Sequence, residues 1–432
     1  MEEHIRILDY FHLYRDEDPV KGGPYGPYLQ SKRLDIYHEN AQKLIESGHA
    51  YHCFCSEERL DLLRKNAIRM RQIPRYDNKC RTNKPEDVKA RLANKEPHVI
   101  RLKLDDQVVN FTDTVFGDTQ HDYKEGDIVI IKSDGFPIYH FSTVVDDHYM
   151  QISHVIRGWE WLSSTAKHLK LFEILNWTPP KWIHLPLITA DGRSKLSKRR
   201  EDAFVDFYTD TKGYLPLAVL NFLVRNHSGI RDFEENKMYL LEELVERFDE
   251  KLINRRNFMM DENSLENYGR LAFRQADFKS VLLPLIRDRL KHQLPDTHPD
   301  LLQDSYLESV VKFLRLNEET FSSLSQLTRG DFKFFFGRAQ SPDKILKKYD
   351  KDQVRKILEK VLARQKSPQD KFKIEDLEEL HKEFNMSKSK FFALIRMILI
   401  DNDTGPPIVE LYSFFKPQEI YRRFEDMYNM LS

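Results

Sequence analysis

The segment at residues 189–200, TADGRSKLSKRR, places cationic side chains around two serines just after an apolar run that ends at Ile188. In a lysine-rich chain such a segment is usually a solvated surface loop, and composition alone leaves that interpretation open. At the carboxyl end of a strand in an α/β sheet, however, ammonium groups can neutralise charge that develops on a triphosphate during nucleotidyl transfer. The cationic residues of the segment are Lys195, Lys198, Arg199 and Arg200, and the two serines are Ser194 and Ser197.

The sequence before this loop predicts a parallel sheet with crossover helices. Residues 127–132 (DIVIIK) are a short apolar run, which is typical of a strand buried on both faces. Further strands are predicted at 152–157 and 182–188, and the helical spacing of apolar residues over 161–175 predicts a helix between them. Alternation of strands and helices indicates an α/β fold. After about residue 215 the strand signals nearly vanish, so the rest of the chain is predicted to be helical.

The composition excludes several classes of protein. The 432 residues are 40% hydrophobic and 32% charged, which is globular and suggests about three domains. The net charge of −1 means that any nucleic-acid-binding surface must be local and offset elsewhere. The longest apolar stretch, 391–400, contains Arg396 and is far shorter than the roughly 20 residues of a membrane span. The sequence contains no Walker loop, no G-x-G-x-x-G after a strand and no H-E-x-x-H.

These segments together resemble glutamyl-tRNA synthetases of the bacterial and mitochondrial type, which are class I aminoacyl-tRNA synthetases. KLSKR, at 195–199, is a form of their KMSKS signature. The long segment 126–177, from GDIVIIK to FEILNW, is very similar to that family, as are 22–56 (GGPYGPYLQSKRL onward) and GYLPLAVLNFLVRN, at 213–226. The segment RMILIDNDTGPPIVELYSFF, at 396–415, looks most like the mitochondrial members.

The resemblance implies an α/β fold: a truncated Rossmann-type class I catalytic domain with an α+β insertion, followed by an all-α anticodon-binding half. A glutaminyl enzyme would instead be expected to end in β-barrels. The expected domains are the first half of the nucleotide-binding fold at 1–50, the connective insertion at 51–126, the second half of that fold at 127–190, the signature loop with a stem-contact helical domain at 191–272, and the anticodon-binding region at 273–432.

The resemblance also implies a glutamate–tRNA ligase that works through a glutamyl-adenylate. Its expected partners are L-glutamate, ATP with Mg²⁺, and tRNA(Glu), with no membrane partner. By the same resemblance we expect a monomer in the mitochondrial matrix that serves mitochondrial translation.

The functional positions of that family fall on two groups of residues in this sequence. The catalytic residues would be Lys195 and Lys198, and the ATP-binding residues Glu160, Lys195, Leu196, Ser197, Lys198 and Arg199. The glutamate-binding residues would be Tyr139, His140, Phe141, Ser142, Thr143 and Arg157. Arg157 is expected to pair with a substrate carboxylate, a task that suits a bidentate guanidinium. Without the family, Tyr139 would be interpreted as a half-buried strand tyrosine and Arg157 as part of a strand-end ion pair.

The three cysteines match part of a zinc site that some bacterial members carry in the insertion. Cys53, Cys55 and Cys80, together with Tyr76, have the corresponding spacing. Those members supply a further ligand where this chain has Thr82. Structural zinc is almost always four-coordinate, so we expect no zinc and no metal ligands here, only buried or surface thiols.

Two expected motifs of the family, the HIGH-type motif and R-x-E-D-T-D, do not occur in the sequence. From this we expect the first β-α unit and any targeting segment to be absent and catalysis to be impaired. The alternative to an active ligase is therefore a truncated tRNA-binding isoform or an incomplete gene model.

A basic segment lies in the C-terminal half. Residues 342–366 carry nine Lys or Arg against four Asp or Glu. Such a pattern indicates either a solvated helix face or a face that contacts phosphates. The resemblance favours RNA, because the family places its anticodon-binding helices in this half.

Overall fold

The computed structural model describes residues 2–123, 126–189, 205–259, 261–316, 320–364 and 374–431. These form two compact units. The first comprises Met1–Leu196, Val224–Phe233 and Glu242–Met260, and the second Ser197–Leu223, Glu234–Leu241 and Asp261–Ser432. The KLSKR segment at 195–199 lies outside the described residues.

The helices and strands follow one another along the chain in a mixed first part and a helical second part. The helices are α1 (Glu2–Tyr10), α2 (Leu34–Glu46), α3 (Glu57–Arg69), α4 (Pro85–Ala93), α5 (Tyr139–Tyr149), α6 (Thr165–Ile174), α7 (Pro216–His227), α8 (Leu241–Arg247), α9 (Glu262–Gln275), α10 (Leu283–Gln293), α11 (Asp304–Leu316), α12 (Asp343–Leu346), α13 (Lys351–Arg364), α14 (Ile374–Glu383), α15 (Lys388–Ile400), α16 (Ile408–Phe414) and α17 (Pro417–Met430). The strands are β1 (Ala50–Cys53), β2 (Val99–Leu102), β3 (Gln107–Asp113), β4 (Gly117–Tyr123), β5 (Ile128–Ile131), β6 (His154–Gly158), β7 (Lys181–Leu185), β8 (Ile188–Thr189), β9 (Ser228–Ile230), β10 (Phe248–Ile253) and β11 (Phe258–Met259).

One parallel strand pair of the first unit belongs to a β-α-β unit. Strands β6 and β7 pair in parallel, with Ile156 opposite Ile183 and Arg157 opposite His184. A 3₁₀ helix at Trp159–Ser164 and then α6 make the crossover between them. The predicted strand–helix–strand order of this region is confirmed, with bounds that differ by a few residues. This unit brings the side chains of Arg157 and His184 to neighbouring positions.

The prediction of a parallel strand at 127–132 is wrong in its pairing. Strand β5 pairs antiparallel with β2, which in turn pairs antiparallel with β1. A short apolar run carries no information about strand direction, because a buried strand of either kind has the same composition. The β3–β4 hairpin, from Gln107 to Tyr123, is a separate antiparallel pair.

The prediction that strands nearly vanish after residue 215 also needs correction. Strands β9 and β10 pair antiparallel, and the two-residue strands β8 and β11 pair in parallel. Strand β10 reads FDEKLI, which lacks the apolar alternation that marks a strand in sequence. Its pairing therefore depends on tertiary context rather than on local propensity.

The core of the first unit forms where α2, α5 and α6 pack against the strands. Apolar side chains of all three helices are almost fully buried, and Trp182 of β7 joins them at 3% exposure. The buried helical members are Tyr37, Ala41, Leu44, Phe141, Val144, Val145, Ala166, Leu171 and Phe172. Because α5 and α6 belong to this core, the side chains on their other faces are held in fixed positions.

The second unit is helical, and its core includes a buried arginine. Helix α15 has seven buried side chains, among them Phe391. Arg423 of α17 is 3% exposed. Its Nε donates to Glu419 at 2.8 Å, and a terminal nitrogen donates to the carbonyl of Phe334 at 2.7 Å. A buried guanidinium needs such partners, so this residue fixes α17 against the segment before α12.

In the part of the chain that the structure describes, no helix has the length and apolar character needed to cross a bilayer.

Candidate active site

The segment predicted to line the glutamate pocket forms the first turns of α5. Phe141 and Ser142 are 0% and 2% exposed and face the core, whereas Tyr139 is 42% exposed and His140 and Thr143 are half-buried. Tyr139 begins the helix, so it is a helical residue and not the strand tyrosine that its local sequence alone suggests. The accessible side of this segment is therefore formed by Tyr139, His140 and Thr143.

Arg157 of β6 is held beside this helix by four hydrogen bonds. Its Nε donates to His184 Nε2 at 2.9 Å, and one terminal nitrogen donates to His168 Nδ1 at 3.3 Å. The other terminal nitrogen donates to Thr165 Oγ1 at 2.8 Å and to the carbonyl of Trp161 at 3.2 Å. These bonds use four of the five guanidinium N–H groups. One N–H group is left for a ligand, so a bidentate ligand would have to replace one of these bonds.

The hydrogen-bond partners of Arg157 are all neutral, which distinguishes it from a structural ion pair. Its two imidazole partners accept from it, and the other two are a hydroxyl and a carbonyl oxygen. Among the described residues, no carboxylate forms a hydrogen bond or an ion pair with this guanidinium. The interpretation of Arg157 as part of a strand-end ion pair is thus wrong, and the arrangement suits binding of an anion.

His184 is fixed behind Arg157 by a buried aspartate. Both side chains are fully buried, and His184 Nδ1 lies 2.6 Å from Asp113 Oδ2. The other carboxylate oxygen accepts from the backbone N–H groups of Val115 and Phe116 at 3.0 and 2.9 Å. Burial alone would raise the pKa of Asp113, but the hydrogen bonds from His184 and Phe116 more than offset it and lower that pKa. Asp113 is therefore ionised, and it accepts a hydrogen bond from the Nδ1–H of His184.

His168 forms the second support of Arg157. It is fully buried, and burial together with the nearby charge of Arg157 places the pKa of His168 well below its usual value. The ring is neutral, and Nδ1 accepts from Arg157, so its proton lies on Nε2. That nitrogen is 3.0 Å from His140 Nδ1, to which it donates. Hydrogen bonds thus connect Arg157 with the first turn of α5.

An aromatic surface borders this cationic group. The rings of Tyr139 and Trp161 are 4.5 Å apart, and both are partly exposed, as is Trp159. Glu160, predicted to lie beside the nucleotide, is exposed in the 3₁₀ helix between these tryptophans. The other predicted ATP-binding residues, Lys195 to Arg199, lie outside the described residues. Their positions relative to Arg157 stay a prediction.

Asp147 lies one turn beyond Thr143 on the same face of α5. Its Oδ2 is buried without a hydrogen-bond partner among the described atoms. The pKa of Asp147 is raised to about 7, mainly by burial and to a smaller extent by the neighbouring charge of Asp146. The charge of Arg157 acts in the opposite direction and lowers that pKa. The native protein therefore binds a proton at this position at a pH where the unfolded chain has already released it.

We expect Asp147→Asn to flatten the pH dependence of stability. Stabilisation by a raised carboxyl pKa is fully present below the unfolded value, near 4, and is lost as the pH rises through about 7. Between about pH 4 and pH 8 the wild-type protein should thus lose about 1–3 kcal/mol more than the variant. Thermal unfolding of the two proteins across this range measures the difference, with exposed Asp16→Asn as the matched control. Parallel pH profiles of wild type and Asp147→Asn would contradict the assignment.

The three cysteines lie together, as their spacing suggests. The sulfur atoms of Cys53, Cys55 and Cys80 are within 4.8 Å of one another. The hydroxyl of Tyr76 lies 3.3 Å from Cys53 Sγ and 3.5 Å from Cys55 Sγ. Tyr76, which shares the spacing of the family's zinc site, thus places an oxygen beside the thiols as a fourth donor. Three thiolates and one oxygen can hold zinc.

The absence of zinc stays a prediction, and metal analysis of the purified protein tests it. A stoichiometric amount of zinc would contradict it.

Comparison with known proteins now identifies the family. Residues 1–267 match the family model described as tRNA synthetases class I (E and Q), catalytic domain, and residues 280–428 match an anticodon binding domain. The chain belongs to the class I tRNA synthetase (E and Q) family. It is 35% identical over 441 residues to a glutamate–tRNA ligase of Chlorobium phaeovibrioides, with 98% of this chain and 83% of the relative covered. A glutamate–tRNA ligase of Alkaliphilus metalliredigens is 44% identical over 256 residues, covering 59% of this chain and 51% of the relative.

Solved structures confirm the fold of this class I tRNA synthetase. It resembles a glutamate tRNA ligase from Elizabethkingia meningosepticum, solved in complex with its amino acid, with a TM-score of 0.76 and 26% identity. The match covers all of this chain and 89% of the solved one. The predicted mixed α/β catalytic part and helical C-terminal half are confirmed, and the protein is an aminoacyl-tRNA synthetase.

Sequence reasoning missed the residues that hold Arg157. Asp113, His168 and His184 are far apart in sequence, and each looks like an isolated polar residue in an element of ordinary composition. The one local signal is His184, a histidine inside the apolar strand KWIHL. Most buried histidine nitrogens have hydrogen-bond partners, so this position indicates that polar groups from elsewhere in the chain lie beside it.

Proposed function

We propose that this class I synthetase is a glutamate–tRNA ligase that attaches L-glutamate to tRNA(Glu) through a glutamyl-adenylate. The names of its relatives support the substrate. The geometry contributes one observation of its own: Arg157 is a positively charged group whose hydrogen-bond partners are all neutral. A substrate carboxylate could pair directly with this guanidinium, which has no carboxylate among its own hydrogen-bond partners.

The proposed reaction has two balanced steps. In the first, a carboxylate oxygen of glutamate attacks the α-phosphate of ATP, which forms the adenylate and releases pyrophosphate. In the second, a hydroxyl of the terminal ribose of tRNA attacks the adenylate carbonyl, which forms the ester and releases AMP. Such reactions depend mainly on positioning and on charge stabilisation, so Arg157 would orient glutamate while Lys195 and Lys198 neutralise the phosphates of magnesium-bound ATP.

The helical unit would hold the tRNA through its basic segment. Lys347 and Lys356 are exposed and have no ion-pair partner within the described residues. By contrast, Lys348 pairs with Asp403, and Lys344 lies 2.6 Å from Asp401. Lysines without a carboxylate partner can contact phosphates at no loss of an existing pair, so the first two are the better candidates.

We expect the double variant Lys347→Glu, Lys356→Glu to weaken tRNA binding about 10-fold and to reduce the salt slope by roughly two, one for each phosphate that is no longer neutralised. Filter binding across a salt series measures both quantities. A matched variant, Lys291→Glu with Lys416→Glu, changes the charge equally in the same unit but outside this segment, at exposed lysines that also have no ion-pair partner within the described residues. Equal slopes for the two variants would show that 342–366 is only a solvated surface.

A mitochondrial location is also part of this proposal. Its support is the resemblance of 396–415 to mitochondrial members, whereas the relatives named above are bacterial. Fractionation of cells that express the protein, with matrix and cytosolic markers, tests it.

Aminoacylation assays test the proposed activity. Purified protein, ATP, Mg²⁺ and tRNA(Glu) should yield acid-precipitable radiolabel with glutamate but not with glutamine. The alternative, a tRNA-binding protein without catalysis, would bind the tRNA and give no label. That result would overturn the proposal.

A further inference from the structure

The aspartate behind the pocket belongs to the β3–β4 hairpin. Asp113 ends β3, and the next residue, Thr114, donates its backbone N–H to the carbonyl of Trp182 in β7 at 2.9 Å. The hairpin is thus attached to the strand that carries His184. From this position Asp113 Oδ2 accepts both the side-chain Nδ1–H and the backbone N–H of His184, at 2.6 and 3.2 Å.

These bonds decide which nitrogen of His184 carries the proton. Because Asp113 accepts from Nδ1, the proton lies there, and Nε2 presents its lone pair to Arg157. The other tautomer would direct an N–H at the guanidinium and abolish the bond. The Nε of Arg157 is the atom nearest the chain in the guanidinium, so its bond to His184 sets the orientation of the whole planar group.

We propose that Asp113 and His184 are positioning residues for substrate carboxylate recognition: Asp113 fixes the tautomer of His184, and His184 orients Arg157 toward glutamate. Neither residue touches the substrate. The inference rests on the proposed function, because it needs Arg157 to bind glutamate.

Two substitutions of His184, to asparagine and to glutamine, distinguish a positioning role of the pair from a merely structural one. Asparagine places its amide near the position of Nδ1, so His184→Asn can still donate to Asp113 but offers Arg157 no acceptor. Glutamine reaches the position of Nε2, so His184→Gln can accept from Arg157 but leaves Asp113 without its side-chain donor. If the pair matters only for stability, loss of the bond to Asp113 should be the more harmful change.

The experiment compares the glutamate and ATP KM values of wild type, His184→Asn and His184→Gln in pyrophosphate exchange, together with their melting temperatures. We expect His184→Asn to raise the glutamate KM about 10- to 100-fold, as loss of orientation does, with the ATP KM within about twofold. His184→Gln should restore most of the glutamate affinity. Asp113→Asn, which permits the wrong tautomer, should resemble His184→Asn.

Each outcome supports or overturns the inference. A glutamate KM that follows the melting temperature, with His184→Gln the worse variant, would show that the pair is only structural. An unchanged glutamate KM in folded His184→Asn would overturn the positioning role while leaving the proposed function intact. If the wild-type protein itself shows no glutamate-dependent exchange either with or without tRNA(Glu), the proposed function fails, and the inference fails with it.

Discussion

Arg157→Ala is expected to weaken apparent glutamate binding by about 2–5 kcal/mol, because it removes one partner of a charge pair and leaves the substrate carboxylate unmatched. The KM for ATP should change far less. The substitution also removes the donor to two buried imidazoles, His168 and His184. Glutamate and ATP titrations in pyrophosphate exchange separate these effects.

Arg157→Lys is the informative control for this prediction. Lysine keeps the positive charge, but one ammonium group cannot satisfy the four acceptors that surround the guanidinium. We expect a glutamate KM between those of wild type and the alanine variant. Equal losses in the apparent affinities for glutamate and ATP would mean that Arg157 only supports the fold.

Lys198→Ala should slow adenylate formation by the equivalent of about 2–4 kcal/mol, the range observed when one focused electrostatic donor to a transition state is removed. This prediction comes from the sequence, since KLSKR has the pattern of a signature loop and follows the strand region that ends near residue 188. Single-turnover measurement of the adenylate isolates this step from tRNA transfer and product release.

Arg200→Ala provides the matched control, because it removes a cation from the same segment but from outside the predicted ATP-binding residues. It should change the rate of adenylate formation little. The affinity for tRNA and the melting temperature should stay near wild type in both variants. Equal rates for Lys198→Ala and wild type would remove Lys198 from the catalytic residues.

The sequence was most informative where a chemically distinctive segment lies within a clear pattern of strands and helices. The family follows from segments such as KLSKR and from the strand–helix–strand order around Arg157, and the structure confirms that order in β6, α6 and β7. Helical periodicity also predicted the C-terminal half correctly. The turn of α5 that holds Tyr139 was harder, because Tyr139 alone looks like a strand residue.

Strand direction and buried polar partners could not be predicted from the sequence. The run at β5 is equally compatible with parallel and antiparallel pairing, and tertiary packing chose the latter. Asp113 and His184 are 71 residues apart, and only the folded chain brings them to 2.6 Å. Tyr76 and the cysteines are the opposite case, since their spacing matches a zinc site of the family and the fold brings the Tyr76 hydroxyl to 3.3 Å from Cys53 and 3.5 Å from Cys55.

Glutamate-dependent ATP–pyrophosphate exchange tests the central claim most directly. The purified protein should be assayed with L-glutamate, L-glutamine and L-aspartate, each with and without tRNA(Glu), so that a requirement for tRNA is not mistaken for inactivity. We predict exchange with glutamate but not with glutamine or aspartate. In Arg157→Ala the exchange should be weaker because the KM for glutamate is higher. No exchange with glutamate in either condition, from folded protein that still binds tRNA, would contradict the account.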